Sequence, residues 1–125
     1  MLSKGTRCRI ADNSGGLTCE IFGIYGGSWK KCARVGDLVK VAIKSAVPNG
    51  KIKKGDISKA LIIRTKYCVT TVDGHRAYAH ENAVVLVTEN FQPIGTRIFG
   101  FASRLAFKTK YENVNKMASF CQEVY

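Results

Sequence analysis

Between Lys30 and Lys66 the chain carries eleven cations: Lys30, Lys31, Arg34, Lys40, Lys44, Lys51, Lys53, Lys54, Lys59, Arg64 and Lys66. Only two acids, Asp37 and Asp56, fall in the same stretch. This third of the chain supplies +9 of a formal net charge of +11. A solvated surface ordinarily mixes both signs, because unrelieved like charge repels and costs stability. Cations massed in this way suit the neutralisation of a polyanion, most often nucleic acid. If roughly six to eight of them meet phosphates, log K should fall with log salt at a slope of roughly −5 to −7.

Residues for covalent chemistry are sparse. His75 and His80 are the only histidines, and both fall in or near one predicted hairpin. No carboxylate pair has an acid–base setting, and no Ser, Cys or Thr sits in a nucleophile motif. "FGIYGGS" is glycine-rich but lacks the Lys-Ser/Thr of a phosphate-binding loop. The five cysteines, Cys8, Cys19, Cys32, Cys68 and Cys121, include no CxxC pair. They read as small buried hydrophobes in a reducing compartment rather than a disulfide framework or zinc site. A non-enzyme without metal or cofactor is expected.

Three further stretches suit binding. Trp29, after Gly26-Gly27 and before Lys30-Lys31, can stack on an exposed base or plug a barrel rim. Gly15, Gly16, Gly26 and Gly27 can bring backbone N–H groups to phosphates or simply make turns. "QPIGTRIFG", Gln92 to Gly100, suits a docking loop anchored on one side in the core, or an ordinary connection.

These residues need a scaffold, and its elements are readable. "TRCRIA" alternates Arg7 and Arg9 with Cys8 and Ile10, the period of a half-buried strand. "DNSGG" is a turn cluster, and "LTCEIFGIY" resumes strand-like text. "DLVKVAIKSA" sets Val39, Val41 and Ile43 opposite Lys40, Ala42 and Lys44, followed by a "PNG" turn. "ALIIRTKYCVTTV" reads as one long strand, "DG" at Asp73-Gly74 as a hairpin turn, and "HRAYAH" as the return strand. "AVVLVT", Ala83 to Thr88, lacks alternation and so is expected to be buried on both faces. Short strands and frequent glycine turns predict a small β-barrel or sandwich. After Gly100 the text favours short helices, the last capped by Asn113 with Met117 and Phe120 on one face.

With 125 residues the chain is expected to form a single domain, 1–125, with the barrel over about 1–100 and a helical tail over about 101–125. No apolar run approaches the roughly 18 residues of a membrane helix, so no membrane partner is expected. "MLSKGTRCRI" has neither an apolar signal core nor a transit-like amphipathic stretch, which suggests a chain that stays where it is made or a mature form.

"ADNSGG", "VGDLVKVAIKSAVPNGKIKKGDISKALIIRTK" and "NAVVLVTENFQPIGTRIFG" together resemble the universal large-subunit ribosomal protein number fourteen. The resemblance spans about Ala11 to Glu123. It implies an all-β fold: a small closed five-stranded β-barrel, a projecting β-hairpin and short C-terminal helices. It implies direct binding of large-subunit rRNA, and bridges to small-subunit rRNA across the subunit interface. It also implies neighbours in large-subunit proteins three and nineteen, and docking of a ribosome silencing factor. The positions matching the docking motif are Thr96, Arg97 and Lys116. Those matching the RNA-facing text are Lys40, Lys44, Lys51, Lys53, Lys54, Lys59, Arg64 and Lys66, and Lys30 and Lys31 precede them in the basic stretch.

The departures from the family pattern lie in the hairpin and tail. Little charge precedes Asp73, Ala79-His80-Glu81 replaces Phe-Asp, Phe101 replaces a proline, and "RLAF" replaces "RELR". Such drift, with five cysteines, points to an organellar ribosome, in the mitochondrial matrix ahead of a plastid or the bacterial cytoplasm. The alternative is a free-standing barrel of the cold-shock, oligonucleotide-binding type. That class presents strand aromatics to single-stranded bases, whereas these strands show lysine and arginine with few exposed-looking aromatics.

Overall fold

The computed structural model describes residues 2–26, 31–66, 69, 70, 74, 76–102 and 121–124. The strands are β1 (Leu2–Ser3), β2 (Arg7–Ile10), β3 (Gly16–Ile24), β4 (Cys32–Ala33), β5 (Leu38–Ala46) and β6 (Ile57–Arg64). They continue with β7 (Val69–Thr70), β8 (Arg76–Ala77), β9 (Ala83–Val87), β10 (Ile98–Ala102) and β11 (Cys121–Val124). β2, β3, β5, β6 and β9 form a closed barrel in that order. Four of its seams are antiparallel, and the last is parallel, with Arg9 beside Ala83 and Ile10 beside Val84. Closure leaves none of these strands with an unpaired edge along its whole length.

The side-chain pattern explains why the sheet closes. On β2 and β5 the alternation holds as expected: Cys8, Ile10, Val39, Val41 and Ile43 are buried, while Arg7, Arg9, Lys40 and Lys44 are exposed. β9 is buried at every position. Its Val84 and Leu86 join the barrel interior, and Ala83, Val85 and Val87 join a second apolar cluster on the other face. β6 divides the same way, with Ala60 and Ile62 in the interior and Leu61 and Ile63 in the second cluster. Ile98 and Ala102 of β10 belong to that cluster, so β10 covers the face that β6 and β9 could not leave wet.

The strand expected over "ALIIRTKYCVTTV" is divided. β6 begins earlier, at Ile57, and ends at Arg64. β7 then pairs with β8 as a separate hairpin, with Val69 opposite Ala77 and Thr70 opposite Arg76. Arg64 and Thr65 are buried where a two-sided barrel strand would have had to continue outward. In the tail, β10 and β11 are extended and pair in parallel, so residues 101, 102 and 121–124 are strand rather than helix. Asn113, Lys116, Met117 and Phe120, on which the helix expectation falls, lie outside the described residues.

The turns clustered at one barrel end explain two glycines. Gly15 has φ +107°, a left-handed conformation, and a Cβ there would lie 2.7 Å from the Cα of Gly50. The β2–β3 turn and the β5–β6 loop therefore touch backbone to backbone. Val47 N–H donates to Gly15 O (2.8 Å) and Lys51 N–H to Ser14 O (3.0 Å).

Candidate nucleic-acid interface

Asp12 organises that end of the barrel. Its buried carboxylate accepts from Ser14 N–H (3.1 Å) and Ser14 Oγ–H (2.5 Å) on one oxygen and from Leu86 N–H (3.1 Å) on the other. Burial pushes its pKa up against the lowering effect of these donors, and burial prevails. The neighbouring Asn13 turns outward. Its Oδ1 accepts from the N–H groups of Thr96 (2.8 Å) and Arg97 (3.2 Å), and its Nδ2 donates to Thr96 Oγ1 (3.1 Å). A Cβ on Gly95 would meet that Oδ1 at 2.6 Å, which accounts for the glycine of "GTRIFG". "ADNSGG" is thus the common support of the basic loop on one side and the Thr96–Arg97 loop on the other. Read in sequence, it showed a glycine turn and part of the family pattern, but not this double support.

The basic loop is held at its middle and its ends. Ile52 is buried in the barrel core, so its neighbours Lys51 and Lys53, and then Lys54, face solvent. Asp56 accepts from Lys53 N–H (3.0 Å), and Gly55 N–H donates to Ile43 O (2.8 Å). Asp56 therefore braces the loop backbone. Three ammonium groups are presented from a fixed frame instead of a floppy connection.

The other predicted cations divide. Lys31, Lys40, Lys44 and Lys66 are exposed. Lys40 lies 5.9 Å from the Phe22 ring centroid, and Lys44 is 3.8 Å from Glu20. Lys30 and Trp29 lie outside the described residues. Strand pairing does set Lys59 directly opposite Lys40, but the Lys59 side chain is only 16% exposed. Its ammonium is 3.2 Å from Glu89 and sits over the rings of Phe91 (4.6 Å) and Tyr25 (5.6 Å). Like charges facing across a strand pair repel, and this local cage offsets the repulsion.

Arg64 departs most from its expected place. It is buried, and its NH1 donates to the carbonyls of Phe99 and Phe101, both at 2.9 Å. Its NH2 bonds Glu81 at 3.0 Å, and Arg9 reaches the other oxygen of Glu81 at 3.1 Å. Burial pushes the Glu81 pKa up, but the hydrogen bonds and charges of Arg64 and Arg9 outweigh it and hold the carboxyl below its ordinary value. The guanidinium that sequence counted toward an RNA face fastens β10 to the barrel.

Two further features depart from the sequence reading, the surface aromatics of the barrel wall and the exposed Cys32. Phe22 on β3 and Tyr25 just beyond it are 42% and 40% exposed, so the barrel wall does carry surface aromatics. Cys8 and Cys19 face one another across β2 and β3, and burial raises their thiols to about 11 and about 12. Both are inert at neutral pH, as their reading as small hydrophobes requires, whereas Cys32 is exposed.

The closed barrel, the supporting "ADNSGG" turn and the braced basic loop bring together the stretches that carried the resemblance. A family model described as ribosomal protein L14p/L23e matches residues 1–123, and the chain belongs to that family of structural, non-enzymatic components of the large ribosomal subunit.

Proposed function

We propose that the chain binds large-subunit rRNA directly through Lys31, Lys40, Lys44, Lys51, Lys53, Lys54 and Lys66, with Lys30 beside them in sequence. The observation that carries this reading is the loop in which buried Ile52 fixes Lys51, Lys53 and Lys54 outward. Phosphates meet such an array at little ordering cost, because the backbone is already held. Arg64 and Lys59 are assigned to the fold, since burial and internal partners occupy both. Replacing Lys51, Lys53 and Lys54 together by alanine is expected to weaken rRNA binding and flatten its salt slope by about three units. An unchanged slope would show the loop to be a solvated surface.

The same reading sets the Thr96–Arg97 loop on the face toward the small subunit. It serves there as the docking point of a silencing factor and, with Lys116, as part of the bridges to small-subunit rRNA. Large-subunit proteins three and nineteen are the expected neighbours, and a mitochondrial ribosome the expected assembly. Thr96 and Arg97 are exposed on a loop tied down by Asn13, which suits a docking role. Arg97→Glu should abolish silencing-factor binding without lowering the melting temperature; retained binding would move the site elsewhere. Sedimentation of organelle extract at moderate salt should place the protein wholly with large subunits. A mostly free pool would instead favour the free-standing barrel, whose case rests on Phe22 and Tyr25.

A further inference from the structure

A second cationic feature draws mostly on residues outside the basic third of the sequence and meets it at Lys66. A groove of about 610 Å³ crosses the outer face of β2, β3 and β5 and ends against the segment before β9. Arg7 and Arg9 line it from β2, and Lys66 and His80 from the segments that flank the hairpin. Thr18 and Ser45 also line it, their hydroxyl oxygens 2.7 Å apart.

The positions follow from local structure. Arg7 and Arg9 alternate with buried Cys8 and Ile10, so both project to the same side, about 7 Å apart along the strand. Arg9 is directly opposite Thr18. Lys66 is held by its N–H on Asn82 Oδ1 at 2.9 Å. The acid lining the groove, Glu81, is already shared between Arg64 and Arg9. It orients Arg9, whose side chain remains 69% exposed, more than it opposes an incoming anion. Leu17, 48% exposed, adds an apolar flank.

We propose that this groove is a second nucleic-acid contact, independent of the loop lysines, which grips a phosphodiester segment of RNA. Successive phosphates lie on the two guanidiniums of β2, and Lys66 and His80 close the far side. The hydroxyl pair offers hydrogen bonds to phosphate or 2′-hydroxyl, and Leu17 packs on a ribose or base. An acidic peptide would match the charge but would leave that hydroxyl pair and the evenly spaced forks without a comparable use. The proposal rests on the rRNA-binding reading and extends it to a different wall of the barrel.

The test is fluorescence anisotropy with a 12-nucleotide oligouridylate probe over a salt series, with polyglutamate of equal length as competitor. The full chain is compared with the Arg7→Gln/Arg9→Gln variant, the Lys51→Ala/Lys53→Ala/Lys54→Ala variant and their combination. The groove variant should weaken binding roughly tenfold and flatten the slope by about 1.4 units, additively with the loop variant. A slope moved only by the loop variant overturns the groove and leaves rRNA binding standing. No change in either variant overturns both. Polyglutamate displacing the probe from the wild type but not from the groove variant would make the groove a peptide site and overturn the RNA assignment. Because Arg9 supports Glu81, Arg7→Gln alone is the second variant; it should give about half the effect with an unchanged melting temperature, and no effect overturns the proposal.

Discussion

Asp12→Ala will remove a large part of the chain's stability without touching any exposed cation. The substitution leaves Ser14 N–H, Ser14 Oγ–H and Leu86 N–H without their acceptor at a buried site. A buried donor stripped of its partner costs about 1–3 kcal/mol, and Ser14 Oγ can reorient more easily than the two amides. A loss of about 3–5 kcal/mol follows, against total stabilities of about 5–15 kcal/mol for domains of this kind. The melting temperature should fall by roughly 10–20 °C in a thermal scan. Asp12→Asn is the informative companion. It keeps one oxygen for Ser14 but sets an amide N–H₂ against Leu86 N–H, so it should cost about 1–3 kcal/mol. If alanine proves no worse than asparagine, Asp12 is not the support described above.

Arg64→Met is the second large effect, and it should act locally first. Methionine fills much of the same space but donates nothing to Phe99 O, Phe101 O or Glu81. Breaking a buried charged network costs about 3–5 kcal/mol, and the lower end applies because Glu81 is partly open to water. Lysine should not rescue it, since one ammonium cannot reproduce a planar fork held by three acceptors. Hydrogen exchange should quicken at β10 before it quickens in the barrel strands. The acid limb carries its own signature. The Glu81 pKa is lowered in the fold, so its contribution is present above the unfolded-state value and lost as pH falls through the folded one. Arg64→Met should shrink that acid-labile contribution. Equal acid sensitivity in wild type and variant would contradict the role given to the Arg64–Glu81 pair.

These two residues mark where sequence reading stops. Periodicity exposed β2, β5 and β9 because each strand's burial is written in its own residues: alternation for Val39, Val41 and Ile43, an unbroken apolar run for Ala83–Val87. It was silent on Asp12, whose partner Leu86 is remote in sequence, and on the parallel seam that closes the barrel. Charge counting treated Arg64 and Lys51 alike. Burial separates them, and burial at Arg64 depends on β10 returning over β6, which no local pattern encodes. Lys59 is similar, for its cage draws on Tyr25 after β3 and on Glu89 and Phe91 after β9, two segments remote in sequence. The loop lysines were legible because they are exposed for a local reason, the buried Ile52 among them.

The parallel seam between β2 and β9 also has a consequence in time. Ile10 meets Val84, 74 residues later, and nothing nearer in the chain takes that place in the barrel. At a synthesis rate of roughly 5–20 residues per second, the β2 edge waits about 4–15 s for its partner to be made. Through that interval the nascent chain carries a strand with open backbone donors and acceptors, the state most prone to pairing with the wrong neighbour. Arg7 and Arg9 stand on that strand, and their like charge discourages two such edges from joining before β9 emerges.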